Sequence, residues 1–112
     1  MEDNMTDGFC VVFVTVEKPG EAAKIADALV EEKLAACCNV LPAVNSTYRW
    51  KGKVYRTEEW MMVIKTRRAN FEKLRARVRE LHIYEVPEII ALPIVEGHMP
   101  YMDWLRDETA QA

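Results

Sequence analysis

The sequence predicts an α+β domain with the element order βαββαβ, followed by a C-terminal helix. Three observations predict this order: short apolar runs of strand length, two segments with apolar residues at helical spacing, and a long apolar segment interrupted by a Lys-Gly pair. A chain of 112 residues has the length of a single domain. We therefore expect a flexible N-terminus over residues 1–8 and a single domain over residues 9–112.

The first strand and the first helix have clear local signals. Residues 9–16 read FCVVFVTV, a β-branched and aromatic run that is typical of a central strand buried on both faces. After a Pro-Gly pair, apolar residues recur at helical spacing from Ala22 onward. This spacing predicts a helix that runs to about Leu34.

A long hairpin is predicted next. Residues 36–50 are rich in Val, Leu, Thr, Tyr and Trp, and Pro42 within them indicates a bulge or an edge position. The Lys-Gly pair offers a tight turn, and residues 53–66 form the partner strand. A two-residue turn places Tyr48 opposite Tyr55.

The second strand of this hairpin is apolar on both of its faces. Alternation puts Trp60, Met62 and Ile64 on one face and Met61 and Val63 on the other. Helices can cover only one of these faces, so the other favours association with further copies of the chain. The alternative is that the outward residues are scattered surface apolars, which are common in monomers.

The last three elements complete the predicted order. Residues 71–81 carry Phe and aliphatic residues at helical spacing, and residues 88–95 read as the last strand. A short terminal helix begins near Pro100, with Tyr101, Trp104 and Leu105 as its apolar side. The order βαββαβ is that of a ferredoxin-like sandwich, in which both helices lie on one face of the sheet.

Composition excludes several classes of function. The net charge of −3, and Glu58 and Glu59 where an RNA-binding strand carries stacking aromatics, argue against a nucleic-acid partner. No apolar run reaches the ~20 residues that cross a membrane, and the first residues do not read as a signal peptide. We therefore expect no membrane partner, a cytoplasmic protein and reduced cysteines.

The residues suggest a binding protein instead of an enzyme. No nucleophile elbow or glycine-rich phosphate loop is present, so we expect no catalytic residues. Thiol, imidazole, carboxylate and thioether groups could hold a metal ion, and the possible donors are Cys37, Cys38, His82, Glu85, Glu88, His98, Met61, Met62, Met99 and Met102. Of these, Cys37, His82 and Glu85 are the predicted ligands, the first two through the family resemblance given below. Such a set favours copper or zinc over magnesium. His82 and Glu85 meet only if that stretch stays helical, and a lone cysteine is more often a buried core residue.

A second candidate is a pocket for a small molecule. Its predicted residues combine aromatic walls with charges of both signs: Tyr48, Trp50, Glu59, Lys65, Tyr84, Glu88 and Trp104. The alternative is that Glu59 and Lys65 form a structural ion pair and that the aromatic residues pack between subunits.

Five stretches of the chain resemble one known family, the CutA divalent-cation-tolerance proteins. They are EEKLAACCNVLP at 31–42, YRWKGK at 48–53, MMVIKT ending at Thr66, HIYEVPEIIALPI at 82–94, and the closing Tyr101, Trp104 and Leu105. Together they span nearly the whole chain in the same order.

The resemblance implies a ferredoxin-like subunit in a homotrimer similar to the PII signalling trimers. It also implies tolerance of divalent cations and binding of copper or another divalent metal ion, with Cys37 and His82 at the positions of the family's cysteine and histidine. We therefore expect a trimeric metal-binding protein. The alternative is a PII-like signalling trimer that binds a small anionic ligand in clefts between subunits.

Overall fold

The computed structural model describes residues 8–110. Its strands are β1 (Phe9–Val16), β2 (Cys37–Trp50), β3 (Lys53–Arg67) and β4 (Ile89–Ile94). Its helices are α1 (Pro19–Glu31), α2 (Phe71–Leu81, after a 3₁₀ turn at Arg68–Asn70) and α3 (Met99–Glu108). This order confirms the predicted βαββαβ arrangement with its terminal helix. None of the helices formed by residues 8–110 is long and apolar enough to cross a membrane.

The strands form one antiparallel sheet in the order β2-β3-β1-β4. The central position predicted for β1 is confirmed, because it pairs with β3 on one side and with β4 on the other. Residues 1–7 of the predicted flexible N-terminus lie outside the described residues. Gly8 accepts a backbone hydrogen bond from Arg68, which ties the start of β1 to the segment before α2.

One face of the sheet packs against α1 and α2 and forms the core. Val12 and Val14 of β1 and Met62 and Ile64 of β3 are fully buried on this face. They pack with the apolar stripes of the two helices, which are Ala22, Ile25 and Leu29 on α1 and Leu74 and Val78 on α2. These stripes occupy the helical spacings that the sequence predicted.

The opposite face, here called the open face, is also apolar. Alternation along paired strands places the following residues on it: Phe9, Val11, Phe13, Met61, Val63, Ile90, Leu92 and Leu41. The side chains from β1 and β3 are half-buried, whereas Ile90 and Leu92 are about half exposed. The prediction that β1 is buried on both faces is therefore wrong for its open face in a single subunit.

The hairpin of β2 and β3 follows its predicted register. Tyr48 lies opposite Tyr55, with the two rings stacked 5.8 Å apart between centroids. Lys51 and Gly52 both have positive φ, 51° and 83°, as a type I′ turn requires. The predicted bulge is present, because the pairing register shifts between Leu41 and Val44.

The first helix ends earlier than predicted. It stops at Glu31 because Lys33 takes a left-handed conformation with φ 61°. The amides of Lys33 and Leu34 then bond to the carbonyls of Val30 and Leu29, which is a Schellman motif. Leu34 is still buried, so it joins the core as a cap residue and not as part of the helix.

The apolar side predicted for α3 is corrected by the structure. Leu105 is fully buried as predicted, and its buried companion is Met102, one turn away. Tyr101 and Trp104 are 40 % and 42 % exposed, and their rings pack on each other at 5.5 Å between centroids. Leu105 neighbours both residue 101 and residue 102 on the helix surface, and the side of α3 that is buried is the one that carries Met102.

Asn70 connects the C-terminal end of α3 to the rest of the domain. Its side chain is 4 % exposed, and Nδ2 donates a 3.1 Å hydrogen bond to the carbonyl of Thr109. The same amide group lies 3.5 Å from the carbonyl of Lys33 and from the hydroxyl of Thr66.

We predict that Asn70→Ala lowers the free energy of unfolding by about 0.5–1.5 kcal/mol, because it removes the buried hydrogen bond from Asn70 to the carbonyl of Thr109. Urea unfolding at one fixed protein concentration measures this loss. The control is Asn45→Ala, at an exposed position of the hairpin. An equal loss of unfolding free energy in both variants would contradict the role assigned to the Asn70 side chain.

Candidate functional site

A cleft of about 520 Å³ lies where the far end of the hairpin meets the segment between α2 and β4. Its lining residues come from β1, β2, β3 and this segment: Thr15, Ser46, Thr47, Tyr48, Trp50, Glu59, Tyr84, Glu85, Val86 and Glu88. Most of the strand residues among them belong to the open face. This volume falls within the range of small-molecule sites.

Glu59 is the buried charge of the cleft. It lies on the open face of β3, yet it is only 5 % exposed because Tyr84 covers it. The Tyr84 hydroxyl donates a 2.6 Å hydrogen bond to Oε2 of Glu59. Within residues 8–110, the other carboxylate oxygen, Oε1, has no hydrogen-bond partner. Burial, this hydrogen bond and the charge of Glu59 all raise the pKa of Tyr84.

Carboxylates dominate the electrostatics of the cleft. Besides Glu59 its lining contains Glu85 and Glu88, and no lysine or arginine among the described residues lines it. Partial burial raises the pKa of Glu88, and the nearby Glu59 carboxylate raises it further. At the mouth, Lys51 pairs with Glu85 at 3.5 Å. The lining of one subunit therefore favours a cation over the small anionic ligand.

His82 supports the cleft from behind. Its ring is 9 % exposed, with Nε2 2.7 Å from the carbonyl of Thr15 and Nδ1 3.2 Å from the amide of Tyr84. A carbonyl can only accept and an amide N–H can only donate, so the proton lies on Nε2 and Nδ1 accepts. Both ring nitrogens are thus engaged within the subunit. The helix α2 ends at Leu81 and His82 is extended, so the helical turn that would bring His82 to Glu85 does not form.

The predicted metal ligands do not meet within one subunit. Cys37 lies opposite Lys65, and His82 bonds to Thr15, which is opposite Met61. The two register positions are separated by about 13 Å along β3. No group of three or more His, Cys, Asp or Glu side chains suited to a metal ion occurs in the described part of the chain.

The adjacent cysteine is a poor soft-metal ligand. Burial, and next the neighbouring Cys37, raises the pKa of the Cys38 thiol to about 12. Metals bind the thiolate, and a thiol with this pKa stays protonated near neutral pH. Cys37 is half-buried on the open face, and its Sγ lies 3.7 Å from the Asn39 side chain.

Five of the seven residues predicted for a ligand pocket line the cleft together: Tyr48, Trp50, Glu59, Tyr84 and Glu88. The other two lie elsewhere. The ammonium group of Lys65 donates to the side chain of Asn39, and the ring of Trp104 packs on Tyr101. The alternative of a Glu59–Lys65 ion pair is wrong, because the two residues are six positions apart on β3, about 20 Å.

Sequence reasoning missed several polar residues of the cleft. Ser46 alternates with Tyr48 and Trp50, so the period of a strand could have placed it on their face. Thr15 could not be found this way, because the packing of the segment between α2 and β4 against the sheet brings it to the cleft.

The sequence profile of a family described as "CutA1 divalent ion tolerance protein" matches residues 10–108. The chain belongs to this CutA1 family. The family resemblance predicted from the sequence is therefore confirmed.

Relatives extend the match over nearly the whole chain. The divalent-cation tolerance protein CutA of Thermus thermophilus is 52 % identical over 99 residues, which is 88 % of this chain and 96 % of that protein. The chloroplastic protein CutA of Arabidopsis thaliana is 44 % identical over 96 % of this chain, which spans 59 % of that longer protein. The solved structure of the Thermus thermophilus CutA1 protein superposes with a TM-score of 0.89 at 50 % identity, over 91 % of this chain and 99 % of that one.

The raised pKa of Glu88 predicts a pH-dependent effect of Glu88→Gln. A carboxyl group whose pKa rises on folding contributes stability below its unfolded pKa, and this contribution is lost as the pH rises through the folded pKa. Removing the charge should therefore raise the melting temperature near pH 7 and change little below about pH 4.

Thermal unfolding at both pH values, in the presence of a chelator, measures this difference. Glu96→Gln, an exposed residue outside the cleft lining, is the control. If Glu88→Gln gave the same shift at both pH values, the charge of Glu88 would not be its cause.

Proposed function

We propose that this protein is a cytoplasmic homotrimer that binds divalent metal ions, copper among them, and thereby contributes to cation tolerance. Membership of the CutA1 family supports the link to divalent cations. The observation that carries the binding proposal is the acidic cleft, in which the buried Glu59 lies close enough to Glu88 to raise its pKa.

The open face supports assembly from identical subunits. Both α1 and α2 pack on the other face, so aliphatic side chains such as Leu92 and Leu41 remain 52 % and 45 % exposed. The sheet also ends in two different edges, β2 and β4. Pairing between unlike edges is a head-to-tail contact, which generates a ring of copies when the rotation between neighbouring subunits closes. The resemblance to CutA and PII proteins favours a ring of three.

Two carboxylates in one cleft suit a hydrated divalent cation. Ions such as Mg²⁺ are commonly held by one or two carboxylates while they keep several water ligands. In this cleft Glu59 and Glu88 supply the carboxylates, and the like-charge repulsion between them falls when a cation binds. The hydroxyl groups of Ser46 and Thr15 are further oxygen donors in the lining.

Copper binding by the predicted thiolate and imidazole ligands requires a different arrangement from the two carboxylates of the cleft. Cys37, His82 and Glu85 lie apart in one subunit, and both nitrogens of His82 already have partners. A copper site made from this set needs ligands from more than one subunit or a shift of the segment that follows α2. The proposal for copper therefore depends on assembly or on such a shift, whereas Glu59 and Glu88 already line the same cleft of one subunit.

We predict that Leu92→Glu dissociates the assembly. Sedimentation equilibrium of the unaltered protein should give a mass of about three times the 12.9 kDa chain. The variant should approach the mass of one chain, because it places a charge in an apolar interface. The control is Val30→Glu on α1, which is 42 % exposed on the helical side and should leave the trimer intact. A monomeric unaltered protein at micromolar concentration would refute the proposed assembly.

Metal titration distinguishes the two candidate sites. We predict that Glu59→Gln weakens binding of Mg²⁺ or Mn²⁺ by about tenfold or more, because it removes the buried carboxylate charge. Cys37→Ser should leave that binding unchanged and should weaken only the binding of Cu(I) and Cu(II). Calorimetry against a competing chelator provides the measurement, with Glu96→Gln as the control. No binding of any divalent ion would refute the proposed function.

A further inference from the structure

The cleft is much larger than a metal ion needs. Its volume of about 520 Å³ lies in the range of pockets that hold organic molecules of drug size. One hydrated cation between Glu59 and Glu88 would leave most of this space to solvent. The remaining lining therefore indicates which organic ligand fits.

The carboxylates lie at two depths. Glu59 is 5 % exposed at the inner end, where its Oε1 has no partner within residues 8–110. The side chain of Glu85 is 71 % exposed at the mouth. Oε1 of this buried residue faces the cleft, whose lining within residues 8–110 contains no lysine or arginine, so it can accept a hydrogen bond from a donor that carries positive charge.

Aromatic rings form the walls between these two depths. Trp50 and Tyr48 project from β2 on the open face, and Tyr84 lies over Glu59. Ring faces carry negative electrostatic potential and attract ammonium groups, while their apolar surface accepts a hydrocarbon chain. Carboxylates at both ends of an aromatic wall match a molecule with an amine at each end of a short chain.

The protein already places one ammonium group at this mouth. Nζ of Lys51 lies 5.5 Å from the centroid of the Trp50 ring and 3.5 Å from Oε1 of Glu85. Its side chain is 67 % exposed at the tip of the hairpin, so it can leave this position at little cost. The contact shows that an ammonium group fits between this ring and this carboxylate.

We propose that the cleft binds an organic ammonium ligand, with a short aliphatic diamine as its best match, and that Lys51 is a tethered competitor at the mouth. One amine of the ligand would bond to Oε1 of Glu59, and the other would replace the Lys51 ammonium between Trp50 and Glu85. This inference goes beyond the proposed function, because it requires no metal ion.

Calorimetric titration with 1,4-diaminobutane tests the proposal on the full chain in metal-free buffer with chelator. We expect one diamine per chain, and no binding of butane-1,4-diol or succinate, which match its length without positive charge. The proposal would be overturned if the protein bound no diamine, or if it bound succinate instead. Because chelator is present, this result is independent of the metal titrations.

Variants test the assigned contacts. Glu59→Gln should weaken diamine binding at least about tenfold, and Trp50→Leu by about two- to fivefold. Glu85→Gln, at an exposed position, tests the proposed contact between the second amine and Glu85 even if Glu59→Gln fails to fold. Unchanged affinity in both Trp50→Leu and Glu85→Gln would refute the site.

Lys51→Ala gives the most specific test, because it should bind the diamine severalfold more tightly. A tethered ammonium group competes at high effective concentration, and its removal frees the mouth. The matched control is Lys53→Ala, which makes the same change of charge two residues along the hairpin, at a residue that forms no ion pair with Glu85 among residues 8–110. An equal gain in both variants would show a general charge effect and would refute the role of Lys51.

Discussion

Both crossover helices, α1 and α2, pack on the same face of the sheet and leave the other face without a helix from the βαββαβ unit. The core between α1, α2 and the sheet buries one set of alternating residues on β1 and β3. The other set, including Phe13 and Val63, is left on a face that no helix of the βαββαβ unit covers. Since this second set is also apolar, the subunit has a surface suited to copies of itself.

The cleft follows from the same arrangement of helices. A carboxylate on the open face would normally reach solvent, but the segment after α2 folds back over β3 and covers Glu59 with Tyr84. His82 holds this segment in place through both ring nitrogens, one to Thr15 and one to the amide of Tyr84. The residue that the sequence suggests as a metal ligand therefore shapes the site within one subunit.

Charge and size point to different occupants of the same cleft. The repulsion between Glu59 and Glu88 is relieved by any cation, whether a metal ion or an ammonium group. The aromatic walls and the volume of about 520 Å³ suit an organic molecule, whereas a metal ion uses only the carboxylate end. The proposed metal and amine ligands would therefore compete at Glu59 and differ at Trp50.

Residue patterns along the chain were enough to predict the element order, the helix stripes and the hairpin register, since all three depend on local spacing and on the turn at Lys51 and Gly52. They also indicated five of the residues that line the cleft. Two features could not be predicted from the sequence: Tyr84 covers Glu59, and α3 buries Met102 instead of Trp104. Both depend on how one segment packs against another, which residue types at a given spacing do not encode.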